Sequence, residues 1–394
     1  KRMRTSGGLE VAEIFRQHGP AYRESHRLPR NHLRVMRAIE VCRTAALGGH
    51  KDQCDNCGHV EISYNSCRNR HCPKCQTLRK EKWIEARRED LLPIEYFHVV
   101  FTLPSELNHL ALLNQRVLYD LLFRSASETL TKLANDPKHL GATVGVIGIL
   151  HTWGQNLMDH PHLHCIVTGG GLSSHGTWIP CRRRFFLPVR VISALFRGKF
   201  LDLLKDSFKK EDLVFPDRLR HLKDPTDFET FRKNLYPKKW VVYCKPPFDG
   251  PQGALQYLGR YTHRIAISNH RILNIHNGKV SFLWRDYTDH NHQKTMTLKA
   301  AEFIRRFLLH VLPSRYVRIR HFGLLANRKR KKTIALCRKI LGDVQTLTQQ
   351  NGRKETWQEQ LFRICGVDLT LCPVCQKGRM YMVALLLPYR CNSP

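Results

Sequence analysis

Apolar positions along the chain follow two periods, and the switches between them divide it into elements. Residues 1–40 place Leu33, Met36 and Ile39 at helical spacing among Arg30, Arg34 and Arg37, so a basic helical arm is expected there. Glu95–Leu103 (EYFHVVFTL) is aromatic and β-branched and reads as a strand, followed by an amphipathic helix from Ser105 to about Ala134. Ala142–His151 and His160–Val167 read as two more strands, and the short polar loop between them predicts antiparallel pairing. Val191–Asp206 and Phe228–Leu235 have the helical period, whereas Trp240–Cys244 reads as a strand ending at Lys245-Pro246-Pro247. Pro251 suits a first helical position, and a helix is predicted from there through about His263. Arg271–His276 and Lys279–Trp284 flank Asn277-Gly278, a turn dipeptide that predicts a hairpin, and Leu298–Leu312 is helical again. The pattern as a whole is that of an α+β protein with a central antiparallel sheet flanked by helices.

One strand carries chemistry. Residues two apart on a strand share a face, so His162 and His164 present two imidazoles together while Leu163 and Cys165 pack behind them. Two nitrogens on a rigid element suit a divalent ion. A further polar ligand is needed to leave open positions for substrate. Gln155 is the first choice, with Asp159, His160 and His151 behind it. Gly169, Gly170 and Gly171 follow the strand and are expected to let the chain turn or approach a ligand closely.

Charge narrows the class of partner. Lysine and arginine number 65 against 33 acidic residues, a formal net charge of +32 over 394 residues. Such a balance matches a polyphosphate, DNA or RNA, better than small acidic substrates. Between His290 and Lys354 the only acidic residues are Glu302 and Asp343, and Arg328-Lys329-Arg330-Lys331-Lys332 is the densest basic run. Interleaved Tyr316, Phe322 and leucines make that tract a candidate folded DNA-contacting face. No apolar run approaches a membrane span, and Lys1–Ala12 shows no secretory core, so a cytoplasmic, DNA-associated protein with no membrane partner is expected.

Fourteen cysteines, several in Cys-x-x-Cys pairs, then point to zinc rather than disulfides. Cys54, Cys57, Cys72 and Cys75 form two pairs separated by a hairpin-length insert, the spacing of a zinc ribbon. Cys42, His50, Cys67 and His71 remain in the same window and are a possible second zinc site. Arg68, Arg70, Lys74, Arg79, Lys80 and Lys82 would give this module a phosphate-facing surface. Cys372-Pro373-Val374-Cys375 is a lone knuckle, with Cys337, Cys365 and Cys391 as possible companions.

In the helix after Pro251, Tyr257 and Tyr261 are four apart, so both phenols lie on one face, flanked by Arg260 and Arg264. A phenolate can attack a DNA phosphate when a metal ion neutralises the developing charge. With the zinc module (SCRNRHCPKCQ), the HPHLHCIVTGGG block, the YLGRYTHRIAISNHRI block and FGLLANRKRKK in that order, roughly residues 40 to 380 resemble the two-tyrosine HUH nucleases. The likeness is to the rolling-circle transposases of bacterial insertion sequences, relatives of eukaryotic Helitrons. It implies an HUH endonuclease domain. It also implies a 5′-phosphotyrosine intermediate, formed by attack of Tyr257 or Tyr261. The residues themselves suggest His162, His164 and Gln155 as holders of Mg²⁺ or Mn²⁺, with structural Zn²⁺ on the cysteines.

The resulting division is a basic helical arm over 1–40, a zinc-binding, zinc-ribbon-like module over 41–90, the nuclease domain over 91–297 and a basic helical carboxy-terminal region over 298–394. The expected substrate is single-stranded or hairpin DNA of element ends and target, contacted by Arg68, Arg70, Arg260, Arg264, Arg328 and Arg330. No Walker A sequence is visible, so duplex opening is assigned to a host helicase and polymerase. A plasmid replication initiator or relaxase of the same chemistry, and a non-catalytic zinc-containing DNA-binding protein, are the competing readings.

Overall fold

The structure, a computed structural model, describes residues 8–88, 90–182, 186–248, 250–261, 265–287, 289–342, 355–366 and 368–389. Two helices open it, α1 (Val11–Ser25) and α2 (Arg30–Glu40), followed by the short strands β1 (Gly49–Cys54) and β2 (Val60–Tyr64) and helix α3 (Gln76–Arg88). Strand β3 (Tyr96–Thr102) leads into α4 (Asn108–Leu113) and α5 (Gln115–Asn135), and then come the long strands β4 (Thr143–Trp153) and β5 (Asp159–Leu172) and short β6 (Trp178–Pro180). Helices α6 (Val189–Lys209) and α7 (Pro225–Leu235) precede strand β7 (Val242–Phe248) and helix α8 (Gly250–Tyr261). The chain continues through β8 (Ile272–His276), β9 (Lys279–Asp286), β10 (His292–Lys299), α9 (Ala300–Leu309), β11 (Ile319–Gly323), α10 (Arg330–Ile340), α11 (Trp357–Cys365) and β12 (Met380–Leu386).

The central sheet has the order β11-β4-β5-β3-β7, with β6 beside β5, and every pairing is antiparallel. Alternation along its strands sorts side chains into two layers. Leu163, Cys165 and Val167 of β5 join Phe97, Val99 and Phe101 of β3 in a core covered by α5 and α6. On the other face Ile147, Ile149 and Ile166 pack against Ala254, Leu255 and Leu258 of α8 and Ile334 and Cys337 of α10. His162 and His164 belong to this second face, the one α8 crosses.

Several elements differ from expectation for identifiable reasons. The helix predicted from Ser105 breaks at buried Asn114, whose amide donates to Val214 O at 2.9 Å while its oxygen accepts from Val214 N at 2.7 Å. Those bonds hold the residue at φ −122°, outside helical space. Strand β7 runs on through Pro246 and Pro247 because it lies at the sheet edge, where a missing N–H breaks no ladder. Gly169, Gly170 and Gly171 lie inside β5 rather than at a ligand. A Cβ on each would come within 2.6, 2.7 and 2.5 Å of Glu95 O, Ile179 O and Thr143 O, so they permit close packing of neighbouring strands. The basic tract holds an unpredicted central-sheet strand, β11.

The predicted hairpin is β8–β9, turning at Asn277 (φ 47°) and Gly278 (φ 69°). A third strand, β10, extends it into a separate sheet. That sheet and α9 form one core with the first two helices: Val11, Ile14, Phe15, Met36 and Ile39 are buried with Val280, Phe282, Phe303 and Phe307. The arm is therefore bound into the body of the protein. The carboxy-terminal segment likewise returns to the start, since β12 pairs with β1 in the sheet β12-β1-β2. Among the described residues no helix is long and apolar enough to cross a membrane.

Buried histidines set the response of this fold to acid. Burial lowers the pKa of His71 to about 3 and of His310 and His321 to about 4. Nε2 of His310 faces Leu157 O at 3.0 Å, so it donates, and Nδ1 is left to accept from Thr152 Oγ1 at 3.2 Å. Protonation would remove that acceptor. Between the unfolded value near 6.5 and the folded one, only the unfolded chain binds the proton, so stability falls as pH falls by about 1.4 kcal/mol per unit for each such histidine. Denaturant unfolding measured from pH 7 to pH 4 should show this loss, with a shallower slope in His310→Gln; a pH-independent midpoint would contradict it.

Candidate active site

Cross-strand register assembles the centre. His151 of β4 pairs directly with His162 of β5, and His164 lies two residues further along the same face. One ligand nitrogen from each of His151, His162 and His164 lies within 4.8 Å of the others. Nδ1 of His162 is 2.6 Å from His160 O, and a carbonyl only accepts, so this nitrogen carries the proton and Nε2 carries the lone pair that can act as a ligand. His151 stacks on Trp153 with ring centroids 4.8 Å apart, which fixes its plane.

Gln155, the expected third ligand, sits elsewhere. Its side-chain amide donates to Tyr287 Oη at 3.0 Å, so the side chain is turned toward the hairpin sheet, and its backbone carbonyl accepts from Arg271 at 2.6 Å. His151, ranked behind it in the sequence, fills the third position. Asp159 is mostly buried, both carboxylate oxygens lack a hydrogen-bond partner among the described residues, and burial raises its pKa to about 7.

A residue not singled out in the sequence completes the site. His98 of β3 pairs with Ile166 and so lies diagonal to His164 on one face of the sheet. Its Nε2 is 2.9 Å from His164 Nδ1 and 2.6 Å from Tyr257 Oη, and Tyr257 Oη is 3.0 Å from His164 Nδ1. Helix α8 delivers that phenol by seating Ala254, Leu255 and Leu258 on the sheet. The phenol ring is held between His98 and Phe248, at centroid distances of 4.4 and 5.0 Å. Burial, then the charges of Lys245 and His162, lower the pKa of His98 to about 3, so its ring is neutral. The only sequence signal for His98 was a polar residue in an apolar strand. Tyr261 is the last residue of α8; its side chain, that of Arg260, and Arg264 lie outside the described residues.

The cysteines group differently from the expected ribbon. Cys72 and Cys75 join Cys42 and Cys67, with Cys42–Cys75 and Cys67–Cys75 sulfur distances of 3.5 and 3.6 Å. Tetrahedral zinc with bonds of about 2.3 Å sets its sulfurs about 3.8 Å apart, so this cluster fits that ion. Cys54 and Cys57 are not in it; they meet Cys372 and Cys375 instead. Neither histidine of the possible second set falls in a cysteine cluster: His50 pairs with Asp52 at 3.2 Å, and burial lowers the pKa of His71. Sequence spacing treats one Cys-x-x-Cys like another, and only the fold decides which two converge.

Two expected DNA-contacting arginines are braces. Arg70 donates to Tyr316 O and Pro313 O at 2.6 and 2.8 Å, and Arg330 pairs with Asp90 at 3.0 Å. Arg68 and Arg328 are exposed, as are Lys329, Lys331 and Lys332.

The chain matches the family described as "Putative transposase" over residues 145–332 and the "Transposase zinc-binding domain" family over residues 14–103. It is 50% identical over 380 residues to the "Putative transposase y4qJ" of Sinorhizobium fredii, covering 96% of each chain. It is 31% identical over 294 residues to the "Transposase for insertion sequence element IS801" of Pseudomonas savastanoi pv. phaseolicola, covering 73% of this chain and 68% of that one. No solved structure matches. The site histidines, Tyr257 and the first cysteine cluster thus fall within the matched segments, and the chain belongs to the IS91-type insertion-sequence transposases, a rolling-circle HUH family acting in DNA transposition.

Proposed function

We propose that the protein cleaves and rejoins single-stranded DNA at element ends, with Tyr257 making the first attack. The observation that carries this reading is the phenol of Tyr257 bonded at 2.6 and 3.0 Å to the pair His98 and His164, beside the three-imidazole cluster. In the self-consistent proton assignment, Tyr257 donates its O–H to Nε2 of neutral His98 and accepts from Nδ1–H of His164. The phenol oxygen is then oriented by two rings fixed on the sheet.

His151, His162 and His164 would hold the divalent ion, which when bound neutralises charge on the scissile phosphate. Three neutral imidazoles suit a borderline ion such as Mn²⁺ better than Mg²⁺, which prefers oxygen donors. The phenol oxygen bonds to phosphorus as the bond from phosphorus to the 3′-oxygen breaks. The phenolic proton leaves through His98, and the 3′-oxygen gains one from solvent. The products are a 5′-phosphotyrosine and a free 3′-hydroxyl. Bond energy is retained in the phosphodiester, so rejoining needs no nucleotide cofactor, and Tyr261 one turn along is the candidate second nucleophile.

A labelled single-stranded oligonucleotide carrying an element end should form a covalent adduct with the protein in Mn²⁺ and none in EDTA, with a lower rate in Mg²⁺. Tyr257→Phe should slow single-end cleavage on the order of a thousandfold while Tyr261→Phe leaves it near wild type. Full adduct formation by Tyr257→Phe would overturn the assignment. His98→Gln, which keeps a hydrogen-bond acceptor, should retain more activity than His98→Ala, with equal oligonucleotide affinity in both; equal rates would remove His98 from the reaction.

A further inference from the structure

The cysteines outside the zinc-module cluster form a second grouping that joins the two ends of the chain. We infer that Cys54, Cys57, Cys372 and Cys375 bind a second zinc ion, which clasps the carboxy-terminal strand β12 to the amino-terminal module.

Four observations support a metal centre. The Cys54–Cys375 and Cys57–Cys372 sulfur distances are both 3.7 Å, and all four sulfurs lie within 4.8 Å of one another. A disulfide needs about 2.05 Å, whereas the edge of a zinc tetrathiolate tetrahedron is about 3.8 Å. The two knuckles are also built alike. Gly58 N donates to Cys54 O at 3.1 Å and Gln376 N to Cys372 O at 3.0 Å, and both donors, four residues past the first cysteine, have positive φ, 69° and 54°.

Backbone N–H groups also point at the sulfurs, from Asn56 to Cys54 Sγ at 3.4 Å and from Gly378 to Cys375 Sγ at 3.4 Å. Such donors stabilise thiolate. Finally, the clasp is reinforced around the sulfurs. Arg379 N donates to Asp55 Oδ1 at 2.7 Å, Asp55 N donates to Arg379 O at 3.0 Å, and a Cβ on Gly378 would run into Cys54 Sγ.

The site lies half outside both matched family segments, since residues 372 and 375 follow residue 332. It links segments more than 300 residues apart, and β12 has little apolar cover of its own: Tyr381, Met382, Val383 and Leu385 are all exposed. The ion therefore supplies much of what holds β12 on β1. This inference is independent of the strand-cleavage reading, because the metal count does not depend on activity.

The test is native mass spectrometry and cobalt substitution of the full chain in a His162→Ala/His164→Ala background, which removes the imidazole cluster from the count. Two zinc ions per chain are expected, and two tetrathiolate cobalt centres by charge-transfer absorption. Cys372→Ser/Cys375→Ser should lose one ion, and Cys42→Ser/Cys67→Ser the other. Hydrogen exchange in the first variant should rise over β12 and β1 while β4 and β5 stay protected. A single tetrathiolate centre in the unsubstituted cysteine background overturns the inference whether or not the variants fold, as does an unchanged count in Cys372→Ser/Cys375→Ser.

Discussion

The antiparallel register between β4 and β5 is the constraint on which the rest depends. It sets His151 opposite His162 and sends Leu163, Cys165 and Val167 to the opposite layer. A slip of one residue would exchange the two sets, burying imidazoles beneath α5 and α6 and turning leucine and valine toward α8. Such a slip is costly on both faces, so the hydrophobic core under α5 and α6 is what fixes the geometry of the polar side. Arg271 and Arg306 add to it at the connecting loop, where they donate to the carbonyls of Gln155 and Asn156 at 2.6 and 3.1 Å.

Sequence patterns exposed local features well and long-range convergence poorly. The β5 histidines, the Asn277-Gly278 turn and the strand at Glu95–Leu103 follow from period and turn chemistry, which act within a few residues. The third imidazole does not, because Gln155 and His151 are separated by four residues and only strand pairing decides which one faces His162. His98 was hidden for the same reason, one strand further away. The cysteines make the point most sharply. Each knuckle is visible by itself, but its partner is chosen by tertiary folding, and for Cys54 and Cys57 that partner lies near the other end of the chain.

Net charge was the other partial guide. A formal charge of +32 points to a polyanionic partner, and the family assignment to transposases agrees with it. Yet the count overstates the contacting surface, because part of it is spent inside the fold. Arg318 is buried enough that its pKa falls to about 10. Arg320 pairs with Asp120 and lies over the rings of Phe123 and Tyr316, at 4.4 and 5.1 Å from their centroids. Guanidinium groups serve both as structural donors to carbonyls and as solvent-facing charge, and composition does not separate the two.

The rim of the central sheet has a consequence for encounters between copies of the chain. An open strand border is a template on which another chain can crystallise its backbone, the first step toward aggregation. Strand β7 ends its exposed border with Pro246 and Pro247, which offer no N–H, and β11 at the opposite border is five residues long and carries Arg320. The two borders of the central sheet therefore offer a second copy little backbone to pair with.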